Sequence, residues 1–259
     1  MEFLLALQFL TRIPVNIRGT VTEQKIARSM AYYPLVGLLV GALAALLHLL
    51  LSNITAGMVA DLASIALLVL ITGNLHLDGL MDTADGLGSG KPREQMLEIM
   101  RDSRVGSHGV VAGILTLLSK VVLLSQIPAE HKFTVLLLFP VVGRWSMVCA
   151  ATLYPYARSQ GVGTFTAYQG KRELIIASLI TLILLAYFLR LGSIFLAVSV
   201  LVGTVLFGAY MMRRVGGMTG DLFGAINESI ELLALFVLLL SLSNNIFPLH
   251  FSFFTFSLL

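Results

Sequence analysis

The sequence predicts an all-α protein: a polytopic integral membrane helical bundle of about seven transmembrane helices, with its N-terminus in the cytoplasm. Three observations predict it. Of 259 residues, 57% are hydrophobic and 12% charged, and the mean hydropathy is +0.91; soluble domains sit nearer 45–50% and about 25%. Seven apolar runs reach the length that crosses a bilayer. The basic residues fall in alternate loops, and 13 of the 17 Lys and Arg share one side.

Taken in order, the opening MEFLLALQFLTRIPV has an acid at residue 2 and no basic leader, so it reads as a short amphipathic segment against the membrane, not a cleavable signal peptide. The first run, 32–52, opens on Tyr32, Tyr33 and Pro34, an expected aromatic interface belt. The second, 54–75, carries Asp61, expected to face the outer water. Runs 109–127 and 134–153 enclose Lys120 and Arg144. Lys120 is expected to snorkel or to pair with a carboxylate. A guanidinium at a helix centre costs about 2.5–3.5 kcal/mol on insertion scales, so Arg144 needs a partner: Asp221, Glu228 or a substrate phosphate. Runs 174–190, 193–212 and about 222–243 follow, and the apolar tail from Phe247 to Leu259 is either interfacial or an extension of the last span. The single cysteine, Cys149, excludes an internal disulfide framework and a Cys-based zinc site. No soluble domain or linker interrupts the chain, so residues 1–259 form one domain. The net charge of +3 is not read as nucleic-acid affinity.

Orientation follows from the basic residues. Arg12, Arg18, Lys25 and Arg28 precede the first run; Lys91, Arg93, Arg101 and Arg104 lie between the second and third; Arg158, Lys171 and Arg172 between the fourth and fifth; Arg213 and Arg214 between the sixth and seventh. The other side has only Lys132 and Arg190. The polar motifs sit with the basic loops, which suits an enzyme drawing on one compartment better than a transporter with charges near midplane.

The first motif is TGNLHLDGLMDTADGLGSG, Thr72 to Gly90. Asp78, Asp82 and Asp85 are spaced i, i+4, i+7 and share one helix face. At an effective dielectric near 20, such charges repel by roughly a few kcal/mol per pair, and a divalent cation turns that repulsion into coordination. Oxygen-only ligands favour a hard ion such as Mg²⁺. His76 is open to three readings: general base, metal ligand or hydrogen-bonded interfacial histidine. The second motif, RDSRVGSHG, closes the 76–108 loop with Arg101, Asp102, Ser103, Arg104 and His108. Arginine suits bidentate phosphate contacts, and the following helix N-terminus favours anions. The third, GGMTGDLFGAINESIE, places Thr219 and Asp221 at the start of the last helix and Asn227, Glu228 and Glu231 deeper. Capping is the alternative reading of the first two and does not account for the deeper group; together these residues are expected to complete a second metal shell or hold a polar substrate.

RIPV (Arg12 to Val15), YYPLVG (Tyr32 to Gly37), NLHLDGLMDTADGLGSG (Asn74 to Gly90), MRDSRVGSHG (Met100 to Gly109), Gly143 with Arg144, and TGDLFGAINE (Thr219 to Glu228) together resemble the cobalamin synthase family, adenosylcobinamide-GDP ribazoletransferase. The resemblance runs in order over nearly the whole chain. It implies a Mg²⁺-dependent phosphotransferase of the bacterial cytoplasmic membrane. The family joins adenosylcobinamide-GDP to α-ribazole or its 5′-phosphate, with release of GMP. In this frame Asp78, Asp82 and Asp85 are expected metal ligands, His76, Asp82, Arg104 and Arg144 carry the reaction, and Arg101, Asp102, Ser103, His108, Thr219, Asp221, Asn227 and Glu228 hold substrate. Small residues in several spans leave room for a homo-oligomer, and water-soluble substrates at a membrane leave room for contact with other cobalamin-pathway enzymes. A CDP-alcohol phosphotransferase is the nearest rival, but the AR that follows its DGxx is absent after Asp78 and Gly79. A cation-coupled transporter or a structural subunit fits the one-sided acids less well.

Overall fold

The computed structural model describes residues 1–158, 161 and 163–243, and among these it contains no strand, only an isolated bridge between Tyr156 and Met218. Eleven α-helices are described: α1 (Glu2–Leu10), α2 (Glu23–Ser29), α3 (Tyr33–Ser52), α4 (Gly57–Thr72), α5 (Leu75–Gly88), α6 (Arg93–Ile99), α7 (Ser107–Gln126), α8 (Ala129–Leu153), α9 (Lys171–Leu189), α10 (Gly192–Val215) and α11 (Gly220–Ser243). Six helical segments are long and apolar enough to cross a membrane, and α4 with α5 makes a seventh as a broken pair bent by 87°. The seven expected runs match α3, α4, α7, α8, α9, α10 and α11. The tail from Phe247 lies outside the described residues.

The bundle is built around α8. Every residue from Thr134 to Ala150 is buried, as expected for a helix apolar all round. Helix α3 approaches it through two glycines: a Cβ on Gly37 would stand 2.5 Å from the carbonyl oxygen of Pro140, and one on Gly41 would stand 2.7 Å from that of Leu136. Small residues let helix backbones touch where no water is present to drive association.

Three local expectations change. The 76–108 segment is not a loop but the helices α5 and α6; its acids and glycines lower the hydropathy, yet its apolar residues still pack on α7 and α11. Tyr33 is no interface residue: it is 1% exposed and stacks on Phe9. Asp61 is turned inward, 1% exposed, because Lys132 Nζ donates to both its oxygens at 2.7 Å and His48 Nε2 lies 2.9 Å away. Pairing with Lys132 replaces the water that a bare carboxylate would need.

The bend that frees the acidic helix uses two consecutive left-handed residues, Gly73 (φ 62) and Asn74 (φ 66), the two residue types that adopt this conformation most readily. The Arg12 backbone N–H donates to the Ile71 carbonyl at 2.7 Å, and its side chain lies over Gly73. Helix α5 then packs on α11 through a reciprocal glycine contact. A Cβ on Gly79 would meet the Asp221 carbonyl oxygen at 2.6 Å, and one on Gly224 would meet that of His76 at 2.7 Å. Gly79→Ala is therefore expected to wedge the two helices apart and cost about 1–3 kcal/mol by overpacking, read as a lower melting temperature in detergent. Gly57→Ala, where a Cβ meets nothing within 4 Å, should melt like the wild type.

Candidate functional site

Helices α5 and α11 bring the first and third sequence motifs together. Asp78, in the first turn of α5, is exposed; Asp82, one turn on, is half-buried. Asp221, in the first turn of α11, pairs with Arg158 at 2.8 Å. Thr219 Oγ1 accepts the Leu222 N–H at 3.2 Å and donates to Asp221 Oδ2 at 3.4 Å. The electrostatic neighbours of Asp82 are Asp78, Asp221, Asp85 and Arg158. Asp78, Asp82 and Asp221 thus gather near one guanidinium.

Asp85, expected as a metal ligand, points the other way. Its Oδ2 accepts the Gly106 N–H at 2.7 Å and its Oδ1 accepts the Gly109 N–H at 2.8 Å. It caps α7 from a neighbouring helix, where free amides and the helix dipole favour an anion. Among the described residues no three of His, Cys, Asp and Glu converge as a ready-made metal cage. Asp85→Ala should destabilise by about 1–2 kcal/mol, the worth of a helix cap, while Asp85→Asn, which still accepts a backbone N–H, should lose less than half of that in the same melting assay.

A second polar group lies deeper. Lys120 Nζ donates to Glu228 Oε2 at 2.7 Å and to Glu231 Oε2 at 2.5 Å. Arg144 Nη1 donates to Glu231 Oε1, and its Nη2 lies 3.3 Å from His76 Nδ1. Asn227 Nδ2 donates to Glu231 Oε1 at 3.1 Å. Lys120 stands thirteen residues into α7, about 20 Å along its axis at 1.5 Å per residue. The polar residues are therefore not confined to the helix ends, and their depth is tolerated because two cations meet two carboxylates. Arg144's partner on the protein is Glu231, not Asp221 or Glu228. Asn227 and Glu228, expected to bind substrate, serve this network.

The network also fixes how His76 can act. The guanidinium donates to Nδ1, so a ring with one proton carries it at Nε2, and Nε2 is buried with no partner. Held this way, His76 offers a proton and is not placed as a general base.

The RDSRVGSHG segment meets the acidic helix through its backbone, at Asp85. Arg101, Ser103, Arg104 and His108 are exposed. Arg104 Nη2 donates to Asp102 Oδ2 at 2.6 Å, and hydrogen bonds from Arg104 hold the Asp102 carboxyl down to about 2. The His108 ring packs over Gly88. An arginine that reaches the acids is Arg158, paired with Asp221, which sequence reading counted only among the basic loops. Its place just after α8, in YPYAR, is the one signal that marked it.

Fold and site define a class: a polytopic, all-helical membrane protein whose cluster of acids stands at one end of the bundle, backed by a buried ion network. Within that class the chain belongs to the cobalamin-5-phosphate synthase family, whose model matches residues 2–239. It is 40% identical over 237 residues, 91% of this chain and 95% of the other, to the adenosylcobinamide-GDP ribazoletransferase of Desulforamulus reducens. Proteins of the same name are 38% identical in Caldanaerobacter subterraneus, over 89% of this chain and 94% of the other, and 38% identical in Thermoanaerobacter pseudethanolicus, over 90% and 95%. No solved structure matches the chain.

Proposed function

We propose that this chain is an adenosylcobinamide-GDP ribazoletransferase. It transfers the adenosylcobinamide-phosphate arm of adenosylcobinamide-GDP to α-ribazole or its 5′-phosphate and releases GMP. Support comes from relatives of that name at 38–40% identity along nearly their whole length. The observation that carries the chemistry is the group of Asp78, Asp82 and Asp221 with Arg158. Acids left facing one another at the end of a membrane bundle are costly, and a magnesium diphosphate supplies the missing positive charge.

The donor set fits Mg²⁺. The ion is commonly held by one or two carboxylates together with phosphate oxygens and water, so a preassembled cage is not required. Asp78 and Asp82 are the residues that would hold it, with Asp85 committed to α7. When bound, the ion offsets charge on the diphosphate and the leaving group.

The protein's own groups do the rest. The ribazole 3′-hydroxyl attacks the phosphorus that bears the cobinamide arm. The bond from that phosphorus to the bridging oxygen breaks, and GMP leaves with the bonding pair. A carboxylate of the acidic group accepts the hydroxyl proton. Arg158, held by Asp221, presents its guanidinium to the phosphoryl oxygens, a geometry suited to planar bidentate contact. Of the arginines expected from sequence to hold substrate or carry the reaction, Arg101 and Arg104 stand on the exposed surface and Arg144 is paired with Glu231.

The bias of Lys and Arg toward one set of loops supports a site at the cytoplasmic face of a bacterial inner membrane, with the N-terminus inside. The test is GMP release by the protein reconstituted in liposomes. Release is expected only when adenosylcobinamide-GDP, α-ribazole and Mg²⁺ are all present. Transfer from a CDP-alcohol in place of the corrinoid, or equal release without Mg²⁺, would overturn the reading.

A further inference from the structure

Beside Asp78 and Asp221 lies a cavity of about 160 Å³, walled by aromatic side chains from four separate elements: Phe9 of α1, Tyr33 of α3, Phe165 of the short 164–168 turn and Phe223 of α11. Phe9 and Tyr33 are stacked at 6.3 Å between centroids, and Phe165 meets Phe9 edge-on at 5.4 Å. Two polar atoms of its lining residues are buried without any partner: Tyr33 Oη and His76 Nε2. An orphaned buried hydroxyl or ring nitrogen costs free energy that a bound polar atom recovers.

These features restrict the guest. An apolar engineered cavity of roughly 150 Å³ takes a benzene ring, so an aromatic ring fits the enclosed part of this one. A lipid tail would leave both polar atoms unsatisfied. A sugar would need more partners than two. Guanine brings a crowded donor and acceptor edge, and the acids of the lining that could meet it, Asp78 and Asp221, are those that the diphosphate and its ion need. A flat, fused heteroaromatic base with few polar atoms matches both the rings and the two positions.

We propose that this cavity seats the base of the acceptor nucleoside, with Phe9, Phe165 and Phe223 against its faces and edges and with Tyr33 Oη and His76 Nε2 as its hydrogen-bonding positions. The ribose then emerges toward Asp78 and Asp221, where its hydroxyl is needed. The inference rests on the transferase reading above. It assigns Tyr33 and Phe165 to acceptor binding, a role no polar motif pointed to.

Calorimetry on the intact protein in nanodiscs tests it, with α-ribazole and GMP as separate probes. Phe165→Leu and Tyr33→Phe are expected to weaken α-ribazole binding about tenfold, in line with the worth of one base–aromatic stack or one buried hydrogen bond, and to leave GMP binding within twofold. Phe165→Tyr, which keeps the ring, should restore α-ribazole binding and so separates a lost contact from a damaged fold. Unchanged α-ribazole affinity in both variants would overturn the assignment, as would a loss of GMP affinity, which would put the leaving guanine in the cavity. Because binding is measured directly, wild-type protein that binds α-ribazole but releases no GMP would sink the transferase reading and spare this one.

Discussion

Lys120→Met is expected to give a protein that enters the membrane but unfolds far more easily than the wild type. The side chains are similar in length, so packing is nearly kept and charge is what changes. Glu228 and Glu231 would then share Arg144 alone, in a place without water. Removing one partner of a buried ion pair costs about 3–5 kcal/mol, because the charge left behind is uncompensated. For a chain of this size that is a fall in melting temperature on the order of 10 °C. The double variant Lys120→Met with Glu228→Gln removes one charge of each sign and leaves the Arg144–Glu231 pair intact, so it should recover most of the loss. Thermal unfolding in detergent reads both. A single variant as stable as the wild type, or a double variant no better than the single, would mean that the network is not held by charge balance. The same cluster positions His76 through Arg144 Nη2, so the single variant should also weaken whatever binds at His76 Nε2.

How far the sequence carried depends on whether a feature is local. A span announces itself by about 20 consecutive apolar residues, and the seven runs land on helices because that signal needs no neighbours. The acidic face of α5 is equally local, since i, i+4, i+7 spacing is a property of one helix. What was not legible is which element each charge meets. Asp85 carries the same spacing signal as Asp78 and Asp82, yet Gly106 and Gly109 supply it with two N–H donors from twenty-odd residues away. Asp61 looks like a carboxylate near the outer water until α8 delivers Lys132 to it. Arg158 looks like one basic loop residue among many until the end of α8 is laid beside α11. Arg144 announced that it needed an anion, but the choice of Glu231 over Asp221 and Glu228 is made by the register of α8 against α11. Tyr33 was misread for a related reason: a tyrosine at a helix start is usually interfacial, and it takes the tertiary packing, with Phe9 of α1 stacked on its ring, to bury it.

Asp82→Asn is expected to lower turnover at least a hundredfold, about 3 kcal/mol of transition-state stabilisation, while the folded protein becomes no less stable. The opposite signs are the point. Asp82 lies among Asp78, Asp85 and Asp221 with Arg158 as the compensating cation, so the native fold gains nothing from its charge, and asparagine, of the same shape, relieves repulsion. A carboxylate kept where it strains the fold is one whose use lies in what it binds. Asp61→Asn is the control from the same broken pair of helices. Asp61 is matched by Lys132 and His48, so losing its charge orphans a buried cation: stability should fall, and turnover per folded molecule should hold. Measuring GMP release and melting temperature on both variants separates the two kinds of acid. If Asp82→Asn turned over like the wild type, or lost activity only in proportion to lost folded protein, the acids on α5 would be structural and the magnesium diphosphate would have to be held elsewhere.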